Sequence, residues 1–352
     1  MSIRLWKLPS YFFIFLYFFT VKDPQAHYSV NVSHFTTMTP YDWFKFMMSI
    51  PRTEPMTKTE LFTQWSCLVA YILGGCSFLF APQLWEIILQ FNLEGHSEGY
   101  LRLVGLGVIE IGLILMIAAR SNHKMFRHEE ILTSILGGLL LIVAILLMMI
   151  LRKMLPLSFA LFFMVLDLSL ALITLVIWCQ ETEGASVSSL FREIFAPLLQ
   201  CLGPKTGGSI MAIFYLGILQ FFFWLVLTVR PDFAQQMFHL DSFQGYSSGF
   251  LAAYFFLVSI HGLYHVVGAS NVNHCLSTAF VFYQILFNVP VYIVLYLVDQ
   301  IERNLFIVLM VFDLIFSAVM FISLVRERST KEEKSTEEES VLNAKEKGFE
   351  DL

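Results

Sequence analysis

Apolar positions run along this chain in blocks too long and too unbroken for the helices of a soluble domain. Leu61–Trp85, Ile131–Leu151 and Thr206–Val229 each pass without an Asp, Glu, Lys or Arg. Ser242–Val298 does so over a length that holds two such blocks and a turn. A hydrocarbon core of roughly 30 Å needs about 20 apolar helical residues, and short of a closed barrel only helices satisfy their own backbone groups there. No apolar–polar alternation supports a barrel. The blocks predict eight helical spans, near 62–82, 101–119, 131–151, 155–178, 207–229, 248–268, 277–298 and 304–325. The predicted fold class is all-α, a polytopic membrane protein.

The pattern is written twice. Glu94-Gly95-His96-Ser97-Glu98-Gly99-Tyr100-Leu101 returns as Gln244-Gly245-Tyr246-Ser247-Ser248-Gly249-Phe250-Leu251, and Met164-Val165-Leu166-Asp167-Leu168 as Met310-Val311-Phe312-Asp313-Leu314. The first offset is about 150 residues and the second about four fewer, as one short indel within a tandem duplication leaves. The chain therefore reads as two tandem four-helix repeats in the same orientation, at 61–180 and 206–327. Around them lie an N-terminal cytosolic or interfacial segment (1–60), a linker (181–205) and a charged tail (328–352). Pro82 and Pro231 close the first helix of each copy. The Gly-x-Ser-x-Gly step after them marks a turn and a helix start, with Ser97 and Ser247 available as caps. It matches the esterase nucleophile string, but the strand-then-helix setting of that motif is missing.

Only 14% of residues are charged while 16% are aromatic, Phe above all, which fits the bilayer. The net charge of -6 comes mainly from loops and tail and says little about partners. No basic patch offers a nucleic-acid surface. Cys67, Cys76, Cys179, Cys201 and Cys275 lie in or beside spans without Cys-x-x-Cys spacing and read as small apolar residues. Trp85, Trp178 and Trp224 fall near span ends, where interfacial anchors sit.

Lys and Arg set an orientation. Lys22, Lys45, Arg52, Lys58, Arg120, Lys124, Arg127, Arg192, Lys205, Arg326, Arg328, Lys331 and Lys334 fall on one side. Only Arg102, Arg152, Lys153, Arg230 and Arg303 fall on the other. The positive-inside rule then puts both ends of the eight-helix body in the cytosol. Tyr11–Val21 resembles a signal core, and Asn31-Val32-Ser33 is a sequon, but a lumenal start would invert the body, so residues 1–26 read as an interfacial segment. The tail mixes Lys and Glu too densely to bury a core and reads as disordered.

Phe80-Ala81-Pro82-Gln83-Leu84-Trp85 followed by Arg102-Leu103-Val104-Gly105 resembles the tumour protein p53-inducible protein 11 family and, more loosely, the DoxX-like four-helix membrane proteins. The resemblance covers Leu61–Trp178 and extends less clearly to the second copy, where Ala252-Ala253 replace Arg-Leu. It implies a four-helix membrane unit, here doubled, and an endomembrane location such as the endoplasmic reticulum. It transfers no catalytic residue.

The chemistry lies in ionisable groups at membrane depth. Asp167 and Asp313 occupy matching positions in the fourth and eighth spans. Glu110 lies mid-way along the second, and the sixth carries His261 and His265 one turn apart. A charged carboxylate at helix centre costs about 2.5–3.5 kcal/mol, so such groups face a bundle interior and pair. The expected pairs are Glu110 with Asp167, and His261 or His265 with Asp313. They would serve as packing glue or as a proton or cation relay. Two histidines on one helix face do not make a bis-His haem. No Gly-rich nucleotide motif or metal-ligand cluster asks for a cofactor or a metal. Pro290 predicts a kink in the seventh span with none in the third.

These features imply a multi-pass protein whose partners are the lipid bilayer and, where its role is to organise, other membrane proteins. The leading expectation is a non-enzymatic scaffolding or regulatory role. The first alternative is a secondary transporter of an ion or small molecule, coupled through the midplane acids and histidines. The second is a quinone-linked membrane oxidoreductase component, implied only by the family resemblance.

Overall fold

The computed structural model describes residues 57–120, 141–192, 208–268 and 283–323, and within them every regular element is a helix. In the first half these are α1 (Lys58–Phe80), α2 (Pro82–Leu89), α3 (Ser97–Arg120), α4 (Val143–Leu151) and α5 (Leu157–Glu181). In the second they are α6 (Gly208–Val229), α7 (Pro231–Phe238), α8 (Ser247–Gly268), α9 (Gln284–Leu297) and α10 (Arg303–Ser323). The segment around Asn31, the loop from 121 to 127, most of the 181–205 linker, the tail, Cys201 and Cys275 lie outside the described residues.

Six of these helices, α1, α3, α5, α6, α8 and α10, are long and apolar enough to cross a membrane by length and composition. The chain is an all-α protein of multi-span membrane character. The expected third and seventh spans are described only from 141 and from 283, so α4 and α9 are apolar but short. Burial sorts the six. In the apolar windows of α3 and α8, 89% and 78% of residues are buried, against 17–33% in the other four. α3 and α8 pack on each other as the central pair, and the outer helices turn residues such as Val165, Val176, Phe222 and Phe321 outward, as lipid-facing surfaces do.

Local sequence explains the helix ends. Thr57 caps α1 in a capping box with Glu60. Glu181, at the end of α5, accepts from the backbone N–H of Thr59 at 2.9 Å and from its hydroxyl at 2.7 Å, tying the start of α1 to the end of α5. Pro82 and Pro231 each end one helix and open the next, because a residue without an N–H fits only a first turn. The short helices α2 and α7 that follow expose Ile87, Ile88 and Phe233, an amphipathic feature that the span pattern does not predict. The cap expectation needs correction. Ser97 and Ser247 are the first helical residues rather than the residues before them, and the Ser247 hydroxyl accepts from the Gln244 N–H at 2.9 Å. Trp178 and Trp224 are 4% and 0% exposed, with Trp224 packed on Phe255 and Phe312, so neither is an interfacial anchor.

Backbone geometry repeats in register. Left-handed residues occur at Gln90 and His239, at Gly95 and Gly245, and at Lys153 and Asp299, each pair at matching positions of the two halves. A π-helical stretch ends at 142 before α4 and at Asn288 within α9, each followed by nine α-helical residues. The π-helical stretch ahead of Pro290 thus has a counterpart ahead of α4, where no proline stands. Contacts between the halves are reciprocal. A Cβ on Gly99 would lie 1.8 Å from the Gln300 carbonyl oxygen, and one on Gly249 would lie 2.0 Å from that of Met154. Gly95 faces Gln244, Gly245 faces Glu94, and Gly107 of α3 touches its own counterpart, Leu257 of α8. The four turns that lead into α3, α5, α8 and α10 therefore gather at one end, about a local two-fold axis between α3 and α8.

Arg102 shows how the halves interlock. Its guanidinium donates to the Leu79 carbonyl in the last turn of α1, and to Glu98 at 2.7 Å. Ala252 stands at the matching place in the second half. There Arg152, reaching over from the end of α4, donates to the Val229 carbonyl at the end of α6. The orphan carbonyls of each proline-terminated helix thus receive an arginine.

Candidate functional site

The central pair carries the site because α3 and α8 are the two helices removed from lipid on nearly all sides. Glu110 on α3 and His261 on α8 are each 3% exposed, and Glu110 Oε2 lies 3.0 Å from His261 Nδ1. His261 also interacts with the Gly107 backbone, where the two helices touch. One turn further along α8, His265 is 2% exposed and packs its ring on Phe316 of α10.

Asp313 on α10 is 6% exposed and accepts two hydrogen bonds at Oδ2, from Asn288 Nδ2 and from Tyr292 Oη, each at 3.2 Å. Tyr292 Oη shares a 2.6 Å hydrogen bond with Tyr254 Oη of α8. The Asn288 side chain also interacts with Glu110, so the carboxamide stands between the two acids. Ser317 Oγ donates to Gln284 Oε1 at 2.9 Å one layer away. A connected polar run therefore passes from His261 through Glu110, Asn288 and Asp313 to Tyr292 and Tyr254. At about 1.5 Å per helical residue, the α8 members of the run, Tyr254 and His261, span roughly 10 Å of depth.

The expected pairings are corrected here. Glu110 meets His261 of the other half, not Asp167. Asp313 is held by Asn288 and Tyr292 of α9, not by a histidine. Asp167 is half-buried and accepts from Tyr71 Oη of α1 at 3.2 Å, so its donor comes from the first helix rather than the second. α3 and α8 face each other across the local two-fold axis, which brings Glu110 and His261 together and leaves each aspartate to its own half. Asn288, Tyr292, Tyr254 and Gln284 were not singled out from sequence as site residues. Their signal was present, since Gln284, Asn288 and Tyr292 recur every fourth residue in a run without charges and so form one helix face.

Among the described residues of the first half no such network is present. A partly open cavity of about 160 Å³ lies there, lined by α1, α3, α4, α5 and α8, with Asp167 and Tyr71 on its wall. At the turn end, His96, Asp241 and Glu302 bring a ring nitrogen and two carboxylate oxygens within 4.8 Å of one another, a spacing that three ligands to one cation can adopt. Asp241 is 81% exposed there, and Tyr100 Oη donates to Glu302 Oε1 at 2.5 Å. Among the described residues Cys67, Cys76 and Cys179 form no disulfide.

A buried cluster of acids and histidines within membrane-length helices is the arrangement of a charge-handling site rather than of a passive frame. Compared with known proteins, the chain matches no family model, no curated protein and no solved structure.

Proposed function

We propose that this chain is a secondary transporter built from two tandem four-helix units, the architecture implied by the DoxX-like resemblance, with its coupling proton held between Glu110 and His261. The observation that carries this reading is that pair: an acid and an imidazole 3.0 Å apart, one from each central helix, both removed from lipid and water. A proton can sit on either partner, and the pair stays closed only while α3 and α8 keep their present contact at Gly107 and Leu257. Rocking one unit against the other about that contact separates the partners. Proton occupancy and the relative position of the units are thereby coupled, which alternating access requires. The run through Asn288 and Asp313 to the two tyrosines supplies groups that both donate and accept, as proton movement demands.

A scaffold needs its polar groups only as interhelical glue. It gives no reason to join two acids, an amide, an imidazole and two phenols in one run. The cytosolic ends and the endomembrane location belong to this proposal as well. The test uses the full chain reconstituted into vesicles loaded with a pH-reporting dye, under an imposed pH gradient, with organic cations, organic anions and sugars added in turn. A solute-dependent dye response that Glu110→Gln abolishes, in protein with an unchanged melting profile, is expected. Traces identical to protein-free vesicles for every solute overturn the proposal.

A further inference from the structure

The two halves fill the same volume differently. The paired left-handed turns set the register: Gly95 with Gly245 for α3 and α8, and Lys153 with Asp299 for the helices on either side of those residues. In the second half the volume is closed by Tyr254, His261, His265, Asn288 and Tyr292, all buried. The matching residues in the first half are Val104, Ile111, Leu115, Ile142 and Leu146, and all five line the cavity. Each polar group of the second half is thus replaced by a smaller or purely apolar one, and the cavity stands where those groups would be.

The acid was kept. Asp313 receives two hydrogen bonds from α9, from Asn288 and Tyr292. Asp167 has Ile142 and Leu146 at those places and takes its hydrogen bond from Tyr71 on the other side. A carboxyl at membrane depth that faces a hollow in place of two donors needs them from elsewhere. Six aromatic rings, those of Tyr71, Phe78, Phe159, Phe163, Phe256 and Tyr264, line the same cavity, with Tyr71 against the carboxylate. An anionic group among aromatic faces is the chemistry that holds an organic ammonium. The acid pairs with its charge and accepts from its N–H donors, while the rings receive the cation and its apolar body. A dry apolar cavity of about 150 Å³ takes a benzene-sized molecule, so this one accommodates one ring or a short alkyl chain. Its partial opening leaves room for a longer body.

We infer that the first-half cavity is a binding site for a lipophilic organic amine, whose ammonium sits on Asp167 and supplies the donors that Asn288 and Tyr292 give to Asp313. A neutral lipid alcohol would fill the space but would leave the acid without a counter-charge, and a lipid tail would not use the acid at all. This inference does not depend on proton-coupled transport.

Binding of radiolabelled phenethylamine to the full chain in lipid nanodiscs tests it, with 2-phenylethanol as the neutral competitor. Saturable amine binding is expected, with the alcohol competing at least about tenfold more weakly. Asp167→Asn should weaken the amine about thirtyfold or more, as loss of one member of a buried charged hydrogen-bonded pair does. The double change Ile142→Asn with Leu146→Tyr should install the partners of Asp313, fill the hollow and abolish binding while the helical circular dichroism and the melting transition persist. If that variant does not fold, Asp167→Asn decides. Equal competition by amine and alcohol with no effect of Asp167→Asn would assign the cavity to a neutral lipid alcohol and overturn the inference. Absence of saturable amine binding to the wild type would overturn it too.

Discussion

Replacing Glu110 and His261 by leucine, singly and together, measures whether the central contact is a charged pair or an ordinary hydrogen bond. The two atoms are 3.0 Å apart and both residues are 3% exposed, so neither group has water to fall back on. Interhelical hydrogen bonds in membrane proteins contribute about 0.6 kcal/mol on average and at most about 1.7 kcal/mol. Breaking a buried charged pair from one side costs about 3–5 kcal/mol, because the group left behind stays desolvated after its partner is gone. Leucine approximates the volume of both side chains, so the cavity contribution is small, and on the proton-coupled reading the second figure applies. Each single change is expected to cost about 3–5 kcal/mol. The double change should cost no more than the larger single one, which gives a coupling energy of at least about 3 kcal/mol. Equilibrium unfolding in mixed micelles of detergent and SDS, followed by helical circular dichroism, supplies the four free energies of the cycle. A coupling within the range of neutral hydrogen bonds would reduce the pair to packing glue, and the energetic basis of the proton-coupled reading would go with it.

Two further outcomes follow from contacts between and within the halves. Gly99→Ala and Gly249→Ala place a methyl 1.8 and 2.0 Å from the carbonyl oxygens of Gln300 and Met154; each should lower stability by about 3 kcal/mol, the upper end of the overpacking range. Gly74→Ala, whose new methyl meets nothing within 4 Å, should raise it by up to about 1 kcal/mol, and the same unfolding assay ranks all three. Arg102→Ala removes a half-buried donor from the Leu79 carbonyl and should cost about 1.5–3 kcal/mol, whereas Arg152→Ala, at an exposed position, should cost nearer 0.5–1.5 kcal/mol; equal costs, or none, in thermal melts would show that these arginines do not cap their helices.

The span pattern was legible because hydrocarbon thickness imposes one length on every crossing helix, so Leu61–Trp85 and Thr206–Val229 announce themselves without tertiary information. The internal register was legible too. Gly95 and Gly245 recur where the backbone must turn left-handed, and a turn of that kind restricts which residue can stand there. Glu110, Asp167, His261 and Asp313 were visible as polar groups in apolar runs. Their partners were not, because a helical sequence shows which face is polar but not which helix lies opposite. Pairing Glu110 with Asp167 assumed that each half satisfies itself, whereas the α3–α8 contact places the acid beside a histidine some 150 residues away. His96, Asp241 and Glu302 escaped notice for the same reason, since the second half supplies two of the three. Trp224 misled because its position near a span end looked interfacial, while packing on Phe255 and Phe312 takes it out of contact with lipid.

The reciprocal contacts of Gly99 with Gln300 and of Gly249 with Met154 have a consequence for how such a molecule can diverge. Two identical four-helix chains meeting about that axis would form a homodimer, and any substitution in one would appear in the other. A residue that hollowed one chamber would hollow both, and a histidine added to one central helix would face its own copy. On the two-unit reading, joining the partners in one polypeptide lifts that restriction. Ile111 and His261, or Leu146 and Tyr292, can then differ although their backbones match. One chamber is free to become a solid ladder of hydrogen bonds while its twin stays hollow, and a protein that began with one chemistry in duplicate comes to hold two.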